Sequence, residues 1–205
     1  MSNYPYSAVI VSLDCVAVDL PWHRQHIWQG LAARCGVELN DVELSQAAEA
    51  SVSAVLDKLG SVDRLTVDMA AATQQCESLI EARLLEAQPR AVDGLQSFLA
   101  ALMTAGVPRA LEGQVEQRTA ESLLRQLDLW DLIDVLVTHD DARGGIPLLT
   151  EAAARLGIDP RCCLVIECTP GGLMAARAIG AACLARANPT ASGRATRRAS
   201  ERCGV

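Results

Sequence analysis

Two side chains able to do chemistry, Ser12 and Asp14, stand where the apolar run Ala8-Val9-Ile10-Val11 meets a polar corner, Ser12-Leu13-Asp14. The run belongs to a longer stretch from Ser7 to Asp19. It reads as a buried parallel strand running into a loop. Open α/β sheets bind ligands at the carboxyl ends of their strands, so this corner is where a reaction is expected. Two residues apart in an extended segment, Ser12 and Asp14 point to the same side. Asp14 suits a general acid or base, and Ser12 a nucleophile that needs such a base. The plainer readings are a strand-end hydroxyl and a turn-forming aspartate. Glu167-Cys168-Thr169 follows a second buried run, Cys163 to Glu167, and Glu112-Gly113-Gln114 follows a third, Val107 to Leu111.

The elements around these corners alternate. A helix is expected from Pro21 to Gly36, with Pro21 in its first turn and Gly36 at its end. Residues 40 to 87 show helical periodicity. Val42, Leu44 and Ala47 mark one face, Val52, Val55 and Leu56 another, and a long helix is expected from about Thr66 to Glu86. Gly60-Ser61 interrupts the pattern. Helices are expected at Leu95 to Leu102 (ending at Gly106), Val115 to Leu127, Pro147 to Leu156 and Gly171 to Ile179. Strands are expected at Ile133 to Val137 and Ala182 to Ala185. Strands alternating with helices predict an α/β fold, a Rossmann-like parallel sheet flanked by helices, with a small all-helical insertion after the first strand. The expected division is a core from residues 1–20 and 88–187, a helical cap from 21–87, and a polar tail, 188–205, expected to be disordered.

Half of the 205 residues are apolar, enough for one core plus a modest insertion. A net charge of −7 argues against a general nucleic-acid binder. No apolar run approaches a membrane span, and no charged start precedes an apolar signal segment, so a cytoplasmic protein is expected, without membrane or nucleic-acid partners. None of the eight cysteines forms a Cys-x-x-Cys pair, and they read as reduced, buried small side chains. Lys58 is the only lysine among 18 basic residues.

Ser12-Leu13-Asp14-Cys15-Val16 resembles the first motif of the haloacid dehalogenase-like (HAD) phosphohydrolases, strand-Asp-x-Asp-Gly-Val/Thr, in their β-phosphoglucomutase and sugar-phosphatase branch. The stretch from Pro21 resembles that branch's entry into its cap, with Trp28 in register and Pro21 and His23 one position early. The most specific match is Leu156-Gly157-Ile158-Asp159-Pro160, the strand to Glu167, Cys168-Thr169-Pro170-Gly171-Gly172, and Ala175 to Gly180. It is similar to Leu-Gly-Val-x-Pro, strand, Glu-Asp-Ser-x-x-Gly and the alanine-rich helix of the branch.

The resemblance implies what the chemistry needs. One aspartate attacks phosphorus, a second moves the leaving-group proton, a hydroxyl and a lysine hold the phosphoryl oxygens, and carboxylates of the first and fourth motifs hold Mg2+. Here Ser12 stands at the nucleophile and Asp14 at the acid/base. Glu112-Gly113-Gln114 stands where a Ser or Thr belongs, and Arg143 is near the lysine position. Cys168 stands at the metal-binding aspartate, with Glu167 as a remnant metal ligand. Gly113, Arg143 and His23 are the candidate ligand-binding residues, and His139 a further cleft candidate. Losses in four independent motifs predict a HAD-like protein that has given up phosphohydrolysis and binds a small phosphorylated molecule or a protein partner, with no cofactor. The alternative is an active phosphomonoester hydrolase or sugar phosphomutase with a rearranged site, using Mg2+. The same fold makes the first and fourth strands neighbours, which would set Cys15 and Cys168 at one sheet edge. There they would pair as a disulfide, bind a soft metal such as zinc, or simply fill space.

Overall fold

Strand β1, Ala8–Ser12, lies at the centre of a five-stranded, wholly parallel sheet of order β3-β2-β1-β4-β5. The other strands are β2 Arg109–Gly113, β3 Val135–Thr138, β4 Cys163–Glu167 and β5 Ala182–Ala185. The structure, a computed structural model, describes residues 5–15, 20–34, 37–50, 52–60, 69–142 and 147–186. Every residue of β1 is buried, as a central parallel strand covered on both faces requires.

Alternation along β1 sorts its side chains between two apolar clusters. Val9 and Val11 join one with Leu99, Leu123 and Trp28; Ala8 and Ile10 join the other with Leu149, Ala152 and Ala176. The first cluster lies under helices α5, Leu95–Thr104, and α6, Gln117–Gln126; the second under α7, Leu148–Leu156, and α8, Pro170–Ala178. Helix α7 stops at Gly157, whose φ of 70° is the left-handed conformation that favours glycine. Helix α8 starts from Thr169, whose hydroxyl accepts the Gly172 N–H at 3.1 Å, with Pro170 in the first turn.

Between β1 and α5 the described residues form four helices: α1 Leu20–Arg34, α2 Asp41–Glu49, α3 Val52–Gly60 and α4 Met69–Glu86. Asn40 and Glu43 close a reciprocal capping box at the start of α2. Trp28, Leu44, Val55, Ile80 and Leu84 bury the inner faces of this segment. The expected cap residues 61–68, the tail from 187, and Cys35 and Gly36 lie outside the described residues.

Three sequence expectations are corrected. Val42 is 65% exposed and does not share the buried face of Leu44 and Ala47. The second strand begins at Arg109, not Val107, because the end of α5 takes Val107: Gly106 N–H donates to Met103 O, and Val107 N–H donates to Leu102 O at 2.9 Å. The third begins at Val135, because Ile133 N–H closes a short 3₁₀ turn on Trp130 O. Among the described residues no helix is long and apolar enough to cross a membrane.

Candidate active site

The register decides which side chains meet. Ser12 lies opposite Glu112 on β2, and Val11 opposite Ile166 on β4, so Ser12 and Glu167 end adjacent strands. By alternation Ser12, Glu112 and Glu167 leave the sheet on the face shared with Ile10, Ala110 and Val165, the α7/α8 face. Together with Asp14, Gly113, Leu149, Thr169 and Gly172 they line a cavity of about 210 Å³ at the carboxyl edge. Asp14 reaches it by a different route from the expected one. The chain leaves the strand at Ser12, and Leu13–Cys15 form a 3₁₀ turn.

Three acids crowd this cavity. Burial pushes the Glu112 carboxyl up to about 8, and the charges of Glu167 and Asp14 add to the rise; a hydrogen bond from Ser12 opposes it. Glu112 is therefore mostly protonated at neutral pH and can donate a hydrogen bond. Glu167 is held differently. Its Oε2 accepts from Cys168 N–H, from Thr169 N–H at 2.7 Å and from the Thr169 hydroxyl at 3.2 Å. Its carboxylate also lies over Gly172, where a Cβ would overlap it. Gly172→Ala should therefore displace Glu167 and cost roughly 1–3 kcal/mol in a urea unfolding curve. Gly30→Ala, in α1 with open space around it, should cost nothing and gain up to about 1 kcal/mol.

Asp14 is not free. Arg24, on α1 and only 5% exposed, reaches its carboxylate at 3.1 Å and donates its other terminal nitrogen to Gln114 O at 3.3 Å. The helical segment thus places a buried cation on the acid/base candidate. Sequence reasoning missed Arg24. Its signal was an arginine one turn before Trp28, on the same helix face. Around it the junction is nearly filled. Arg24, Trp28, Glu77, Gln114, Glu116 and His139 border a cavity of only about 20 Å³, room for about one water. Across this junction burial pushes Glu77 of α4 up to about 8, helped by a hydrogen bond with Glu116 and by the charges of Glu116 and Asp140.

The other candidates fall in different places. Gly113 lines the 210 Å³ cavity. His23 does not; with His26, Leu79 and Arg83 it borders a separate groove on the outer side of the helical segment. The reason is its place on α1, one residue from Arg24 and so turned about 100° from it. His139 borders the filled junction rather than the cavity. Arg143 lies outside the described residues. Cys15 and Cys168 do meet at one sheet edge. Their sulfurs and a Glu167 carboxylate oxygen lie within 4.8 Å of one another. Cys168 Sγ–H donates to Asp14 O at 3.3 Å.

A family model described as haloacid dehalogenase-like hydrolase matches residues 10–186. The chain belongs to this family. It is 28% identical over 185 residues to validoxylamine A 7'-phosphate phosphatase of Streptomyces hygroscopicus subsp. limoneus, covering 87% of this chain and 84% of that one. A HAD family hydrolase from Deinococcus radiodurans R1, with bound phosphate and sodium, is 28% identical with a TM-score of 0.58, over 88% of this chain and 80% of that one. β-Phosphoglucomutase of Clostridium difficile shares the fold, with a TM-score of 0.75 at 17% identity over 88% and 84% of the two chains. The sheet and its flanking helices are thus those of a HAD-like hydrolase.

The family's magnesium does not fit the donors of this chain. A hard cation needs carboxylate, carbonyl or water oxygens. The two carboxylate positions hold the Ser12 hydroxyl and the Cys168 thiol. Glu167, the carboxylate left beside them, already accepts three hydrogen bonds on Oε2 and has only Oε1 to offer.

Proposed function

We propose that this HAD-like chain has lost phosphohydrolase activity and uses its cavity to bind a small polar ligand. One observation carries the reading. Where the family needs an attacking carboxylate and cations to neutralise a phosphoryl group, the cavity offers Ser12, Asp14, Glu112 and Glu167, and none of its described lining residues is basic. Phosphoryl transfer is mostly positioning plus electrostatic stabilisation, and a lining with no cation to offset the Glu167 carboxylate disfavours a phosphate dianion. The residue at the family's acid/base position, Asp14, is occupied by Arg24. What remains suits a neutral or cationic ligand bearing hydroxyl or amino groups. Glu112 and the Gly171 N–H in the first turn of α8 would donate, Glu167 would accept, and Leu148 and Leu149 would supply an apolar wall.

The chain should show no magnesium-dependent release of phosphate from p-nitrophenyl phosphate or a panel of sugar phosphates. Turnover abolished by Asp14→Asn would sink the reading. It would favour a second one, a phosphatase with a rearranged site, which the likeness to validoxylamine A 7'-phosphate phosphatase over most of both chains supports.

A further inference from the structure

We propose that Cys15, Cys168 and Glu167 form a binding site for a zinc-type divalent cation, at the edge of the sheet where the family's magnesium donors have been replaced. The inference is independent of whether phosphate is hydrolysed.

The geometry is already assembled. One sulfur from each cysteine and one Glu167 oxygen lie mutually within 4.8 Å, so a cation among them needs only small side-chain adjustments to reach Zn–S distances near 2.3 Å and a Zn–O distance near 2.1 Å. Two backbone segments fix the set. Cys15 ends the turn after β1; Glu167 ends β4 and Cys168 follows it, and β1 and β4 are paired neighbours. The Asp14 carbonyl, 3.3 Å from Cys168 Sγ, or a water, would supply the fourth donor of a tetrahedron. Cys15 is 2% exposed, and Cys168, half-buried, packs against the same apolar cluster. Thiolate donors select zinc over magnesium. On binding, both thiols lose their protons to solvent. The two thiolates and the Glu167 carboxylate then surround one divalent charge.

Cobalt(II) added to the reduced full-length chain provides the test. We expect one ion per chain, a near-ultraviolet thiolate-to-cobalt charge-transfer band, visible bands of tetrahedral intensity, bleaching by equimolar Zn2+, and release of about two protons per ion. Cys15→Ser and Cys168→Ser should each weaken Zn2+ binding by more than the roughly 10–100-fold that loss of an outer hydrogen-bond partner costs. Cys162→Ser, at an exposed position, should leave it unchanged. If Cys15→Ser fails to fold, zinc protection of Cys15 and Cys168 from alkylation in the unaltered chain, mapped by mass spectrometry, reads the same site. Absence of the charge-transfer band, unchanged zinc affinity in Cys168→Ser, or protection confined to Cys162 and Cys163 would each overturn the proposal.

Discussion

Replacing Arg24 with methionine is expected to lower unfolding free energy by about 3 kcal/mol, the low end of what breaking a buried ion pair costs. The low end applies because the Asp14 side chain keeps 14% exposure while that of Arg24 keeps 6%. The change strips one charge of a pair and leaves Asp14 and Gln114 O without their donor. In a chain of this length the melting temperature should fall by of order 10 °C. Asp14→Asn in the same background removes the stranded charge and should recover most of the loss, because methionine fills much of the arginine's apolar volume. Urea unfolding of the two single variants and the double variant closes the cycle. A cost below about 1 kcal/mol for Arg24→Met would place the pair among solvent-screened surface contacts and remove it as the bolt between the helical segment and the sheet.

That bolt shows what the sequence discloses and what it hides. Strands β4 and β5 were legible to the residue, because short apolar runs bounded by turn signals leave little choice of strand ends. The ends of β2 and β3 were misplaced by two residues. In both cases apolar residues, Val107 and Ile133, are used by a helix end or a 3₁₀ turn before the strand begins. Ser12, Asp14, Glu112 and Glu167 were legible as one edge, since parallel topology sends every strand end to the same side. Arg24 was not. Its partner lies 10 residues away in the sequence, and an arginine on a helix reads as a solvated face until packing closes over it. His23 borders a different groove for a related reason, since a shift of one residue on a helix changes the face a side chain takes.

Glu112 makes the second large effect, and its sign can be worked out. Its carboxyl is pushed up to about 8 in the folded chain, whereas an unfolded glutamate titrates near the ordinary value of about 4.3. Between those values the folded state holds a proton that the unfolded state has released, so stability falls as pH rises through this window. The contribution is fully present below about pH 4 and gone above about pH 8, and its size is a few kcal/mol at most. Glu112→Gln keeps the shape and carries no charge to desolvate. The variant should match the parent near pH 5 and exceed it by up to a few kcal/mol near pH 9, where the parent must bury a third carboxylate beside Asp14 and Glu167. Comparing the two at each pH cancels the shared titrating groups that do not interact with Glu112, Glu77 among them, whose rise to about 8 acts in the same direction. Urea unfolding at pH 5, 7 and 9 reads the difference. A parent as stable at pH 9 as at pH 5, or a variant weaker than the parent at pH 9, would mean that Glu112 is ionised in the folded cavity. The cavity would then carry three charges at neutral pH, and its ligand would have to be a cation.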